Sequence, residues 1–253
     1  MKVLADLLIR SGYCIFASVS IYLIKMESIK VIGFDADDTL WANGSYFSEA
    51  EASFCELLAE YMPEKELTAE LFRTEMKNME WYGYGVMAYT LSLIETALYI
   101  SHEKVSATVI NEILALGRSL LNKPVLLFPG VTEVLPFLQN KYSLIVVTKG
   151  DLLDQERKLE KSGLLPFFHH IEVVSEKSES NYLNLIKTLD IQPEEFLMVG
   201  NSLKSDVLPV LAVGGKAVHV PFNTVWQHEA VEKPNTPYIE IKSLVDLPRV
   251  LAL

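Results

Sequence analysis

The stretch that most limits what this chain can fold into is Val31-Ile32-Gly33-Phe34-Asp35-Ala36-Asp37-Asp38-Thr39-Leu40-Trp41. Apolar or small residues rich in β-formers run straight into a cluster of carboxylates. A hydroxyl, Leu and Trp follow. A buried strand that stops this abruptly delivers Asp35 and Asp37 to the rim of a sheet. In open α/β sheets that rim, at the carboxyl ends of parallel strands, is where ligands bind. Like charges this close are costly unless a cation or a proton relieves them. The stretch therefore asks for a metal, a perturbed pKa, or both.

The remaining pattern says what kind of sheet this is. Residues 30–35 read as a buried strand by their β-branched content. Between 46 and 122 the spacing turns helical. Val105, Val109, Ile113, Leu116 and Leu120 form one stripe at three- and four-residue steps, as an amphipathic helix requires. The block predicts about four helices and no strand. Pro124 to Gly130 punctuates the return to a different pattern. Helices are then expected at 131–140, 151–162 (stopping near Gly163), 180–190, 203–212 and 243–251. Strands are expected at 142–148, 170–174, 196–200, 216–220 and 238–241. Such alternation is the signature of a parallel sheet with covering helices. The expected fold class is α/β: a Rossmann-like parallel-sheet core over 29–45 and 123–253, with an α-helical cap domain at 46–122 inserted after the first strand. Residues 1–28 form an N-terminal extension.

Composition narrows the function classes. A chain of 253 residues, 50% hydrophobic, can bury a sizeable core. Its net charge of −11 argues against nucleic acid and leaves room for small anionic substrates held by local cations. Cys14 and Cys55 form no disulfide framework and no metal-ligand spacing. Both are expected to be buried small hydrophobes in a reducing compartment. The uncharged run Ser11 to Ile24 is shorter than the ~18 residues a membrane span needs. Asp6 and the lack of a small-x-small site weigh against a signal peptide. Either residues 1–25 form a peripheral helix or Met26 is the natural start. A cytoplasmic protein, with no membrane partner, is expected.

Each predicted strand end carries a polar signal. The first ends in Asp35 and Asp37, the second in Thr148-Lys149-Gly150. Ser175, Glu176 and Lys177 follow the third. The fourth ends in Gly200-Asn201-Ser202, with Asp206 in the helix behind it. Right-handed crossovers bring all of these to one rim. The inventory suits phosphoryl transfer. A carboxylate can attack phosphorus and split one hard step into two easier ones. A second carboxyl two residues on can protonate the leaving oxygen and then deprotonate water. Mg²⁺ takes oxygen ligands, commonly one or two carboxylates with phosphate and water. Thr148 can hold phosphoryl oxygens, and Lys177 supplies positive charge where negative charge builds up.

Taken together, Asp35-x-Asp37-x-Thr39, Thr148-Lys-Gly, Lys177 and Gly200-Asn-Ser-x-x-x-Asp206 resemble the ordered motifs of the haloacid dehalogenase (HAD) superfamily. The likeness is to its phosphatase branch with a helical cap after the first strand. It implies Asp35 as nucleophile and Asp37 as general acid/base. It also implies a Mg²⁺ site at Asp35, Asp37 (through its carbonyl), Asn201 and Asp206, with Thr148, Lys149 and Lys177 around the phosphate of a small phosphorylated metabolite. Two positions depart from the pattern. Asn201 stands where the family often has Asp, and Lys149 where it often has Asn; Lys149 either adds charge to the phosphate pocket or points to solvent. A haloacid dehalogenase, a phosphomutase, and a binding module that has lost catalysis are the alternatives. Asp38 is expected to be a capping or solvated bystander and His219 a satisfied core residue. Trp226 is expected to pack a loop against its domain. Trp81-Tyr82-Gly83-Tyr84-Gly85 is either a helix–helix turn with core aromatics or a loop facing the site.

Overall fold

The computed structural model describes residues 26, 28–222, 226–234 and 238–252. The expectations for residues 1–25, Cys14 among them, fall outside the described residues. Six strands form one parallel sheet: β1 (Val31–Phe34), β2 (Ser143–Lys149), β3 (His170–Val174), β4 (Phe196–Gly200), β5 (Lys216–His219) and β6 (Ile239–Glu240). Their spatial order is β3-β2-β1-β4-β5-β6, so β1 lies in the middle. The chain builds outward from β1 through β2 to β3, then crosses back to β4 on the other side. That reversal creates a crevice at the carboxyl ends of β1 and β4, the place where such sheets bind ligands.

The sheet is buried on both faces because alternate residues point opposite ways. Ile32, Phe34, Leu144, Val146, Leu197 and Val199 join one apolar core. Val31, Ile145, Val147, Phe196 and Met198 join the other. Helix α5 (Val131–Gln139) covers the first face, and α7 (Glu179–Thr188) with the short α8 (Leu208–Ala212) covers the second. Gly33 is explained by its neighbour: a Cβ there would meet the Phe196 ring at 2.8 Å.

Four helices lie between β1 and β2: α1 (Gly44–Leu57), α2 (Glu64–Tyr82), α3 (Val86–Ile100) and α4 (Ala107–Asn122). They carry their own apolar core, with Phe54, Leu58, Leu67, Leu93, Ala97 and Ile113 fully buried. Ser106 caps α4 by accepting from the Val109 N–H, the usual satisfaction of a first-turn donor. Cys55 is free and buried in this core, as expected. Helix α6 (Leu152–Ser162) starts at an Asp151 cap and stops at left-handed Gly163, φ 69°.

Two expected helices change form. The stretch expected as 203–212 opens as a π-helical turn, Leu203–Val207, before α8. Pro209 has no N–H to offer the Ser205 carbonyl four residues earlier, and the buried Tyr182 hydroxyl donates to that carbonyl instead, at 3.0 Å. The expected terminal helix is a 3₁₀ turn, Leu244–Asp246, followed by α9 (Leu247–Val250). Among the described residues no helix is long and apolar enough to cross a membrane.

Helices α3 and α4 meet where Gly117 faces Thr90; a Cβ on Gly117 would collide with the Thr90 Oγ1 and Cγ2. Gly117→Ala should therefore lower stability by about 1–3 kcal/mol through overpacking, despite alanine's better helix propensity. Thr90→Ala in the same chain should recover most of that loss. Urea unfolding of the two single variants and the double variant measures it; additive losses would refute the contact.

Candidate active site

The two carboxylates at the end of β1 are held very differently. Asp35 is buried, its N–H bonded to the Val199 carbonyl of β4 at 2.9 Å. Its Oδ1 accepts from Lys177 Nζ at 2.5 Å and its Oδ2 from the Thr39 hydroxyl at 3.0 Å. Lys177 also donates to Asp206 Oδ1 at 2.6 Å. One buried ammonium thus bridges two buried carboxylates. Burial pushes the Asp35 carboxyl up to about 7; Lys177 pulls it down, while Asp206 and Asp37 push it up. Lys177 is held above the ordinary lysine range, because its two carboxylates outweigh the cost of burying it.

Asp206 owes its place to a glycine. A Cβ on Gly200 would occupy the space of the Asp206 carboxylate. With that space open, Asp206 Oδ2 accepts from the Ser202 N–H at 2.9 Å. Asn201 directs its Oδ1 at the Thr39 hydroxyl, 3.2 Å away, and its carbonyl lies 3.0 Å from His219 Nε2. Thr39 has a single hydrogen for two acceptors, Asp35 and Asn201. His219 is a satisfied, buried residue, also paired with Glu240.

Asp37 stands in a fork of donors. Trp41 Nε1 donates to its Oδ1 at 2.7 Å, Gln155 Nε2 to its Oδ2 at 2.9 Å, and Lys158 Nζ to both oxygens at 3.0 Å. Gln155 also donates to Thr148 Oγ1 at 3.1 Å, tying the ends of β1 and β2 together. Sequence reasoning missed Gln155 and Lys158. The signal was there: Asp151, Asp154, Gln155 and Lys158 share one face of α6, and Asp154 and Gln155 are buried. Asp38, at φ 61°, accepts from the Asn43 and Gly44 N–H groups and caps α1, as expected.

Lys149 lies neither in solvent nor free in the pocket. It donates to Glu229 Oε1 at 2.5 Å and Ser205 Oγ at 2.9 Å, and sits 4.0 Å from the centre of the Tyr84 ring. Burial raises the Glu229 carboxyl, but the Lys149 charge and bonds from Lys149, Ser202 and Ser205 bring it down to about 2. Glu229, in the loop after β5, is a further site residue not recognised in the sequence. The Trp81–Gly85 run divides. Trp81 and Tyr82 are exposed rather than core, whereas Tyr84 faces the site and bonds Glu176 at 3.0 Å. Trp226 packs on Tyr84 from the helical insertion, at 5.9 Å, so its loop spans the two parts of the molecule.

Asp35, Asp37, Thr148, Lys149, Lys177, Asn201 and Asp206 all line one cavity of about 550 Å³ between the sheet edge and the helical insertion. Among the described residues no three His, Cys, Asp or Glu side chains are gathered as a metal cage. The oxygens of Asp35, Asp206 and Asn201 still outnumber the donors beside them, and Lys177 is the one cation on the two buried carboxylates. Such a set fits Mg²⁺, which keeps waters and few protein ligands.

The comparisons with known proteins agree with this arrangement. The family model of haloacid dehalogenase-like hydrolases matches residues 29–214. The chain belongs to that family. A haloacid dehalogenase-like hydrolase from Xanthomonas campestris is 37% identical, with a TM-score of 0.81 over 89% of this chain and 91% of its own. The N-acylneuraminate-9-phosphatase of Mus musculus is 23% identical over 89% of this chain and 95% of its own. The structure of the HAD hydrolase YfnB from Bacillus subtilis, bound to magnesium, superimposes at a TM-score of 0.65 with 19% identity, over 89% of this chain and 99% of its own. The helical insertion after β1 is the cap of this fold.

The Lys177 bridge makes a prediction about stability. Asp35 has a folded-state pKa of about 7 against an ordinary 3.8, so between those values the folded protein holds a proton that the unfolded chain has lost. Its contribution is full below the lower value and is lost as pH rises through the upper one. Asp35→Asn removes that dependence. In chelator-containing buffer the variant should match wild type near pH 4 and exceed it by about 4 kcal/mol at pH 8. Urea midpoints across pH measure it; a gap that stays constant would disprove the assignment.

Proposed function

We propose that this hydrolase is a Mg²⁺-dependent phosphatase acting on a small phosphorylated metabolite through an aspartyl-phosphate formed on Asp35. The observation that carries the proposal is the buried Asp35–Lys177–Asp206 bridge with a second carboxylate, Asp37, two residues from the first. In this reading Asp35 attacks phosphorus as the bond to the leaving oxygen breaks. Protonated Asp37 gives its proton to that oxygen. Asp37 then takes a proton from a water that attacks phosphorus, releasing phosphate and restoring Asp35. Lys177 orients Asp35 and stabilises charge on the phosphoryl oxygens, and the Thr148 hydroxyl offers a hydrogen bond to the same group. Asp35, Asp206, Asn201 and the Asp37 carbonyl would hold the metal. When bound, Mg²⁺ supplies the positive charge that keeps Asp35 ionised and screens it from an incoming phosphate.

Lys149 takes a different role from the one expected. With Glu229 bound to it at 2.5 Å, its charge is already largely answered. It braces the loop that carries Glu229 against the phosphate end of the cavity. A carbon–halogen hydrolase would leave Asp37 and its three donors without a task. A cytoplasmic setting fits the free, buried Cys55.

Asp35→Asn should lower the turnover of p-nitrophenyl phosphate by a factor of at least about 10³, and a chelator should do the same reversibly with Mg²⁺. Wild-type rates in either case would remove the mechanism. Lys158 is assigned as a positioning residue for Asp37. Lys158→Ala should therefore slow alkyl phosphates, whose leaving oxygen needs a proton, by about 10–100-fold. It should slow p-nitrophenyl phosphate much less, because that leaving group departs as an anion. Equal losses on both classes would mean that Lys158 serves only structure.

A further inference from the structure

Every lysine that lines the cavity, Lys149, Lys158 and Lys177, comes from the sheet domain, whereas the cap wall brings Glu51 and Glu75 and no Lys, Arg or His. Lys158 and Lys177 each answer a carboxylate of the reaction centre. Lys149 does not. Its partner is Glu229, an acid with no part in the reaction itself. Each member of that pair keeps only 13% of its side chain exposed. An ion pair buried this far adds little stability on its own, so its use lies in what else Glu229 holds.

Glu229 holds the π-helical turn that carries Asp206. Its Oε1 accepts from Lys149 Nζ at 2.5 Å. Its Oε2 accepts from the Ser202 hydroxyl at 2.5 Å and from the Ser205 hydroxyl at 2.6 Å. A hydroxyl has one hydrogen to give and lone pairs to receive others. Because Ser202 gives its hydrogen to Glu229, its lone pairs are left for the Ser205 N–H, 3.0 Å away, and that bond caps the turn. Ser205 likewise gives its hydrogen to Glu229 and accepts from Lys149 at 2.9 Å. The backbone between these ties reaches the site directly. The Ser202 N–H donates to Asp206 Oδ2 at 2.9 Å, and the Asp206 N–H donates back to the Ser202 carbonyl at 2.8 Å. Asn201 is the residue just before Ser202.

An independent tie makes the same join. Lys204, inside the π-turn, donates to the His228 carbonyl at 2.9 Å. Glu229 ends a short 3₁₀ turn, Gln227–Glu229, whose last N–H donates to the Trp226 carbonyl at 2.8 Å. Two short turns from distant parts of the chain are thus fastened to each other. A π-turn gives up the regular helical ladder, so side-chain ties must hold its shape. We propose that Glu229 is a positioning residue for the metal end of the site. Through the Ser202 and Ser205 hydroxyls it holds the turn that carries Asn201 and Asp206 in the geometry that takes up Mg²⁺. The assignment rests on the metal reading given under the proposed function. Groups that orient a metal's ligands from outside commonly set its affinity, and here that group comes from a loop beyond β5.

Titration of the full chain with Mg²⁺, followed by calorimetry with no substrate present, tests the role without requiring turnover. Glu229→Ala should weaken Mg²⁺ binding about 10–100-fold. The double variant Ser202→Ala/Ser205→Ala keeps the charges of Glu229 and Lys149 and removes only the two hydroxyl ties. It should weaken Mg²⁺ by at least about fivefold, and adding Glu229→Ala to it should cost less than about threefold more, because the three residues act as one unit. Wild-type affinity in Glu229→Ala overturns the proposal. So does wild-type affinity in the serine pair, since the loss in Glu229→Ala would then come from charge acting through space. Where Glu229→Ala fails to fold, the serine pair decides. A wild-type protein that takes up no Mg²⁺ overturns the proposal together with the metal reading. Hydrolysis of p-nitrophenyl phosphate is measured beside the titrations. Uptake of Mg²⁺ without turnover would strike the phosphatase reading alone, and the role of Glu229 would still stand or fall on the calorimetry.

Discussion

The molecule depends on one buried ammonium. Lys177 sits between Asp35 and Asp206, 2.5 and 2.6 Å from their oxygens, and each of the three comes from a different strand end. Removing two carboxylates and an amine from water is costly, and their mutual attraction repays it only when the geometry is good and the remaining lone pairs are met. Here they are met by the Thr39 hydroxyl and the Ser202 N–H. The charges remain unequal, two negative to one positive. Burial first, and then that imbalance, lift the Asp35 carboxyl to about 7 and leave the cluster short of positive charge.

Such a cluster needs a frame that does not relax around it. The sheet supplies the frame because both of its faces are packed. Gly33 lets the Phe196 ring lie against β1, and Gly200 leaves room for the Asp206 carboxylate against β4. The π-helical turn aims Asp206 inward, and the Tyr182 hydroxyl meets the carbonyl that Pro209 leaves without a helical donor. Local irregularities thus coincide with the site. That is where local preference is expected to yield to function.

What could be read from the sequence follows the same division. Asp35, Asp37, Thr148, Lys177 and Asp206 were legible because each directly follows a strand or lies at a fixed step beyond it, and parallel topology gathers strand ends. Gln155 and Lys158 were not. Polar residues on one helix face are normally its solvated face, and nothing local says that α6 turns this face to Asp37. Glu229 lies in an aperiodic loop, and its partner Lys149 is 80 positions away. The π-turn was missed because the spacing over 203–212 was read as one continuous helix, whereas the missing N–H of Pro209 reshapes the turn before it.

The two polarities of the cavity follow from how the fold is assembled. Strand ends present backbone N–H groups and short acidic loops to one point, so the sheet side must import lysines to hold charge there. Lys158 comes from α6, Lys177 from the loop after β3 and Lys149 from the end of β2. The cap is a separate helical core, and its inward surface is free of that requirement. Its residues can therefore be acidic without weakening the Lys177 bridge, provided the two walls stay apart. Tyr84 and Trp226 meet edge to face between them, and Lys149 is locked onto Glu229 and the Tyr84 ring. That aromatic and ionic seam fixes Lys149 at the boundary between the two walls, with its charge answered by Glu229 and not by the cap.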